Sequence, residues 1–339
     1  MLKIALDAMG GDLGPVSVVE GACSFLKSDS STFFQIFGDE PLIKPHIPYN
    51  LSHKIEIIHT VDVISGDTKP SAALRRGRKS SMGLAISSVA AKENAGVISG
   101  GNTGAFMGLS SFLMGSLPGV FRPAIASFFP TKVGGYSTML DLGANAENDE
   151  FHLAQFALMG ETLAQTALSI QNPRVALLNI GSEEVKGNMI IQNAHKICKN
   201  NPIFENFIGF VEGDQILSGD VDVTVTDGFS GNIALKALEG AAHAVAYELE
   251  QAFNESFLTR IAAFLAYPVL KSFKLKTDPS NYNGAVFLGI KGIAVKSHGS
   301  STAKGFSSAI LITKKIINLG LIEKLEEKLK KLPPELLKG

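Results

Sequence analysis

Six times in this sequence an apolar, β-type run ends in a small, polar, glycine-rich corner. The stretches are IALDAMGGD at 4–12, VISGGNTG at 97–104, MLDLGAN at 139–145, LLNIGSEEVKGN at 177–188, VTVTDGFSGN at 223–232 and IAVKSHGSS at 293–301. Strand signals that alternate with helical ones, over connections long enough for a crossover, require an α/β fold. Its sheet should be mainly parallel, with helices on both faces. Such sheets bind ligands outside the carboxyl ends of their strands. The six corners are therefore expected to gather around one site.

The intervening pattern supports a single α/β unit over 1–339. Helices are expected at 15–27, 70–92, 102–114, 149–168, 188–199 and 231–253, and strands at 32–37, 55–59, 96–99, 174–179, 207–211 and 221–226. Runs at 124–129 and 136–141, joined by 130–135, read as a hairpin. Two segments depart from the alternation. FNESFLTRIAAFLAYPVLKSFKLK at 253–276 is apolar and aromatic, carries Arg260, Lys271, Lys274 and Lys276, and is kinked by Pro268. It reads either as a core helix pair or as an exposed amphipathic arm, 253–283, that touches a membrane or a partner. The tail, 321–339, begins as a Lys/Glu helix with regularly spaced leucines, expected to be solvated.

With 339 residues and a net charge of −1, the chain has no global attraction to nucleic acid. Cys23 and Cys198 stand in helical patterns and in no CxxC cluster, as buried thiols in a reducing compartment would. The N-terminus runs straight into a strand and no apolar run reaches a membrane span, so a cytoplasmic location is expected, with attachment to a membrane surface left open.

The chain lacks GxGxxG after its first strand, GxxxxGK[ST], GxSxG and any metal-ligand spacing, so no cofactor, metal or covalent nucleophile is expected. Its corners instead carry donors: Asn102, Thr103 and Gly104; Asn145; Lys186 and Asn188; Ser230, Gly231 and Asn232; and His298 with Ser300 and Ser301. Amides, hydroxyls, helix starts and one lysine suit a phosphate and a polarised carbonyl. Of seven histidines only His298 follows an apolar strand directly; His243 lies on an Ala-rich helix and is expected to be packed. Asp7 and Asp12, around Gly10 and Gly11, are expected to form a cleft wall that orients donors rather than to meet an anion.

The blocks IALDAMGGD, SGGNTGA, LDLGAN, NIGSEEVKGN, VTDGFSGN, YNGAVFLG and KSHGSS, in this order, resemble the signatures of the bacterial phosphate acyltransferases, the PlsX family. The resemblance runs from residue 4 to about 310 and leaves 27–64 unmatched. Gly100, Ser182 and Ser297 stand where relatives often have Ala, an acidic residue and Cys. The family implies the fold of isocitrate and isopropylmalate dehydrogenases, a homodimer, and peripheral membrane association. It also implies synthesis of acyl phosphate from acyl-acyl-carrier-protein and inorganic phosphate, with a membrane glycerol-3-phosphate acyltransferase downstream. Carried onto this sequence, Lys186, Asn232 and His298 become the catalytic candidates, and Asn102, Thr103, Gly104, Asn145, Asn188, Ser230, Gly231 and Ser300 the phosphate and substrate cradle. The acidic carrier or the membrane would meet Arg260, Leu265, Val269, Lys271 and Lys274, or a second basic run at Arg75, Arg76, Arg78 and Lys79. An acyl-CoA-dependent phosphotransacetylase and a nicotinamide-dependent hydroxy-acid dehydrogenase are the alternatives this fold permits.

Overall fold

The computed structural model describes residues 1–337; the side chains of Pro70, Lys274, Lys276, Thr277 and Pro279 fall outside the description, so the expected contact at Lys274 does too. The first half of the chain forms β1 (Leu2–Asp7), α1 (Gly14–Ser28), β2 (Thr32–Gly38), α2 (Glu40–Ile43), β3 (Ile55–His59), α3 (Pro70–Arg76) and α4 (Ser81–Ala90). It continues through β4 (Gly96–Ser99), α5 (Thr103–Met114), β5 (Ala124–Pro130), β6 (Tyr136–Leu140) and α6 (Glu150–Leu163). The second half adds β7 (Val175–Leu178), α7 (Met189–Asn200), β8 (Phe207–Val211), β9 (Val223–Val225) and α8 (Gly228–Asn254). The chain closes with α9 (Phe257–Leu265), α10 (Tyr267–Thr277), β10 (Ala285–Leu288), β11 (Ile293–Lys296), α11 (Ala303–Asn318) and α12 (Leu321–Leu329).

All eleven strands join one sheet in the order β3-β2-β1-β4-β11-β10-β5-β6-β9-β7-β8. β3, β2, β1, β4 and β11 are mutually parallel, as are β6, β9, β7 and β8. Between these blocks β10 is antiparallel to both β11 and β5, and β5 is antiparallel to β6 as the expected hairpin. Three reversals leave the two parallel blocks pointing in opposite directions along the sheet.

Each face carries its own apolar layer. On one, Val18, Val19, Phe156, Leu158, Phe306 and Ile310 bring α1, α6 and α11 onto the strands; on the other, Ala73, Met82, Ile86, Phe106 and Leu109 do so for α3, α4 and α5. Gly21 permits the close crossing of α1 and α11: a Cβ there would lie 2.9 Å from that of Phe306. The expected helix over 70–92 is broken by a 3₁₀ turn, Gly77–Lys79, after which Ser80 caps α4 by accepting from Gly83 N at 3.1 Å.

Two expectations are corrected. The C-terminal helix is not solvated: Leu321, Leu325 and Leu329 are buried, with Leu332 and Leu336 beyond them. Their spacing makes an apolar stripe that docks beside α6, where Gln155 Nε2 donates to Leu336 O at 3.0 Å and Lys328 Nζ meets Glu161 at 2.9 Å. His243 is exposed rather than packed, because α8 buries only Gly228 and Gly231. Along the 253–283 stretch, α9 has no buried side chain, and Leu258, Phe264, Leu265 and Val269 are each more than 70% exposed. Cys23 and Cys198 are buried, and burial pushes the Cys198 thiol up to about 12. Among the described residues, no single helix is long and apolar enough to cross a membrane.

A docked tail has a measurable cost of removal. Leu325→Ala should lower unfolding stability by about 3 kcal/mol in urea titrations, the usual cost of a buried Leu→Ala change; a loss below about 0.5 kcal/mol would instead describe a solvated helix.

Candidate active site

The opposed blocks divide the glycine corners into two groups. The first gathers the ends of β1, β4 and β11. Asp7 is 1% exposed and accepts from Ser99 Oγ at 2.6 Å, while Ser99 Oγ accepts from Gly101 N at 3.0 Å. Burial raises the Asp7 pKa, against these donors. The loops interlock through glycine: a Cβ on Gly10 would lie 2.6 Å from Gly101 N, and one on Gly11 2.9 Å from Gly299 O. Asp12 N donates to Gly299 O at 2.7 Å, so the first corner is braced by the last.

Lys296, which the sequence reading passed over, lies at this junction. Its ammonium donates to Gly100 O at 3.1 Å and to Ser297 O. Burial lowers its pKa to about 8, with Asp7 and Asp12 pulling the other way. Its signal was a lysine closing a buried strand. Asn283, in YNGAVFLG, is the second omission. Its Nδ2 reaches Ser297 Oγ, Ser301 Oγ and Gly305 O at 2.8–3.0 Å, and its Oδ1 accepts from His298 N at 2.9 Å. His298 is thereby held by its backbone with its ring exposed. Nδ1 faces Ser300 Oγ at 2.9 Å and accepts from Ser300 N, which leaves Nε2 as the outward donor of the neutral ring.

Asn102 is committed to the fold. Its Oδ1 accepts from Ala105 N at 2.8 Å as the cap of α5, and its Nδ2 donates to Gly66 O at 2.6 Å. What α5 can offer a ligand is the first-turn N–H groups of Thr103 and Gly104.

The second group gathers the ends of β6, β9 and β7 around Asp141, which is 0% exposed. Its carboxylate accepts from Ile125 N, Gly143 N, Ala144 N, Asn145 N and Asn145 Nδ2 at 2.9–3.2 Å. Burial nonetheless raises its pKa. Asn145 Nδ2 also donates to Pro123 O at 2.7 Å, so both amide protons are spent and only its carbonyl oxygen remains. Ser230 belongs to the cap of α8, its N and Oγ donating to Asp227 at 2.8 and 2.9 Å. Asn188 caps α7 by accepting from Ile191 N at 2.9 Å.

Gly231 lets α8 press on this corner, since a Cβ would fall 1.9 Å from Asp141 O. The next residue, Asn232, is exposed beside Gly143. Among the described residues its amide and the Lys186 ammonium have no hydrogen-bonding or ionic partner within the chain, and Lys186 is exposed on the β7–α7 loop. Near them in the chain, Gly187, Asn188, Asp227 and Ser230 line a cavity of about 640 Å³.

Hydrogen bonds and glycine contacts knit each group internally, and among the described residues none joins the two. Arg260 and Lys271 are exposed with Leu265 and Val269 on α9 and α10. No three His, Cys, Asp or Glu side chains among the described residues are grouped to hold a metal ion.

Residues 2–324 match the family described as "Fatty acid synthesis protein". The phosphate acyltransferase of Rhodospirillum centenum is 48% identical over 331 residues, covering 97% of this chain and 93% of that protein. The chain belongs to the phosphate acyltransferase family. Other phosphate acyltransferases extend the similarity: that of Hydrogenovibrio crunogenus is 44% identical, covering 95% of this chain and 96% of its own, and that of Pelagibacter ubique 41%, covering 96% and 98%. Solved structures share the fold at lower identity. A phosphotransacetylase from Streptococcus pyogenes superposes with a TM-score of 0.61 at 17% identity, covering 94% of both chains. A branched-chain phosphotransacylase from Enterococcus faecalis gives 0.60 at 13%, covering 94% of this chain and 99% of that one.

Lys296 offers a pH test of how this corner is buried. Its pKa is about 8 folded and 10.5 unfolded, so between these values the unfolded chain binds more protons and this residue makes stability rise with pH. Urea unfolding from pH 7.5 to 10.5 should show the wild type gaining on Lys296→Met across that window. A difference that is constant with pH would mean the ammonium is not desolvated.

Proposed function

We propose that this protein forms acyl phosphate from acyl-acyl-carrier-protein and inorganic phosphate, an early step toward phosphatidic acid. The observation that carries the reading is similarity to phosphate acyltransferases over nearly the whole chain, joined to two unspent polar side chains, Lys186 and Asn232, on rigid corners. Phosphate is already an anionic nucleophile, so catalysis asks only for positioning and charge stabilisation. An oxygen of hydrogen phosphate attacks the thioester carbonyl carbon, the C–S bond breaks, and the proton carried by the phosphate passes to the departing thiolate. Lys186 neutralises the attacking phosphate or the developing oxyanion, and Asn232 donates to the thioester carbonyl. Asn188, Ser230 and Gly231 hold the turns that present them.

In the first group, the N–H groups of Thr103 and Gly104 with Ser300 form the anion-binding wall, and His298 Nε2 serves the proton transfer. Asn102 and Asn145 act by shaping their corners. That both groups serve one centre is supported by sheet twist: at about 20–25° per strand, the five steps from β4 to β9 turn the second block by about 110°. Strand ends that the topology opposes thereby come to face within about 70° of each other.

The acidic carrier protein docks on Arg260, Lys271 and Lys274, and Leu265 and Val269 touch the membrane surface. The exposed apolar side chains of α9 and α10 support an arm of this kind, and exposed Val245 and Tyr247 of α8 support burial against a second copy in a homodimer. The enzyme is then cytoplasmic, peripheral to the membrane, and hands its product to a membrane glycerol-3-phosphate acyltransferase. The fold shared with phosphotransacetylases favours one second reading, acyl-CoA as the donor.

Incubation with palmitoyl-acyl-carrier-protein and labelled phosphate should yield labelled acyl phosphate with no added cofactor or metal; product from palmitoyl-CoA alone would select the second reading. Lys186→Ala and Asn232→Ala should each lower kcat by about 100-fold with unchanged melting temperature, since both side chains are exposed and unpaired. Wild-type turnover in both folded variants would remove them from the mechanism. Charge reversal at Arg260 and Lys271 should raise the KM for the carrier substrate and leave that for phosphate unchanged; an unchanged carrier KM would rule the arm out as the dock.

A further inference from the structure

The cavity beside Lys186 and Asn232 has a composition the reaction above does not yet use. Its floor is apolar: Leu153, Leu177 and Val225 are at most 2% exposed, and Leu178, Ile180 and Ile191 add the rest of its apolar lining. Glu212, Asp214 and Asp227 stand at its rim, and none of its lining residues is Lys, Arg or His. Three carboxylates and no cation disfavour phosphate and any nucleotide-bearing group. An apolar floor of about 640 Å³ lies within the usual range for small-molecule sites and suits an uncharged, flexible, apolar guest.

The mouth is placed for that guest. Gly187 and Asn188 flank it next to Lys186, and Asp227 and Ser230 flank it just before Asn232. Lys186 directly precedes the lining residue Gly187 and Asn232 follows the lining residue Ser230 by two positions, so a carbonyl bound by either group lies near the opening. At its exposed edge Ile180, which itself lines the cavity, is 81% exposed, and Val185 on the same β7–α7 loop and Met189 at the start of α7 are 80% and 65% exposed, which makes an apolar lip.

We infer that this cavity binds the acyl chain of the thioester: the carbons next to the carbonyl fill the floor, and those beyond it lie over the Ile180–Val185–Met189 lip. The inference rests on the acyl-transfer reading and adds to it the subsite that selects chain length. Phosphate approaches from outside, so the chain stays in place while the C–S bond is exchanged for a C–O bond.

The test is kcat/KM for saturated acyl-carrier-proteins of increasing chain length with labelled phosphate. Each methylene taken fully out of water is worth about fourfold, so wild-type kcat/KM should climb steeply with length until the floor is full and then flatten. Ile191→Phe, which fills the floor, should move that plateau to shorter chains and cost the long substrates about tenfold, while the KM for phosphate is unchanged. Ile180→Asp, at an exposed position, should weaken only chains long enough to reach the lip. Profiles for both variants that run parallel to the wild type would overturn the inference, including the case in which either variant only weakens self-association. A wild type that makes no acyl phosphate at any chain length would instead bring down the acyl-transfer reading, and this inference with it.

Discussion

The architecture depends on the antiparallel pairing of β10 with β11 and β5. Without β10 the sheet would fall into two separate pieces; with it, one continuous sheet joins them and fixes the relation between their carboxyl ends. The same pairing sets the register of the surrounding layers. Phe287 of β10 packs on Phe106 of α5 with ring centroids 5.0 Å apart, tying the central strand to the helix whose start belongs to the first corner group. Sheet hydrogen bonding and aromatic packing thus carry the separation of the two groups, and the loops need only add local detail.

That detail is built largely from polar side chains whose hydrogen bonds are made within the chain. Asp7, Asp141, Asn145, Asn102 and Asn283 direct their hydrogen bonds inward, to groups of the corners and of the segments packed against them. Buried carboxylates are unfavourable unless such donors surround them, and here the donors come from the tight turns that glycine allows. The expense of burying Asp141 is offset by five hydrogen bonds that a more open loop could not direct at one carboxylate. Rigid corners then leave few side chains with open valences, which is why Lys186, Asn232 and the His298 ring stand out.

Much of this was legible in the sequence. Strand–corner alternation announced the α/β class, the hairpin at β5 and β6, and the positions of all six corners, because periodicity and glycine placement are local signals. Which amides are spent and which are open was not legible: Asn102 and Asn232 both follow glycine, yet one caps α5 and pins residues 66–68 while the other faces solvent. That distinction is decided by backbone that arrives from elsewhere in the chain. The role of Lys296 was hidden for the same reason, since its neighbours Asp7, Asp12 and Gly100 come from two other strands. The docking of the C-terminal helix turned on which surface of α6 remained uncovered, and a leucine stripe by itself does not state that. How the two blocks join could not be read at all, because the strand that links them, β10, arrives from the far end of the chain.

The loop that carries Lys186 has a further consequence. Its corner is anchored at Gly181, Asn179 and Asn188, but its four-carbon stem ends in a cation with nothing to hold it among the described residues. A lysine fixed from a free state gives up about 1.5–2 kcal/mol of rotamer entropy. In the empty protein that entropy is retained, so the tip samples a volume instead of occupying a point. Arrival of an anion is then also an ordering event, and part of the attraction between the two charges is taken up in stilling the side chain. Such a cation holds any anion less tightly than its charge alone would suggest, so what it binds it also releases readily.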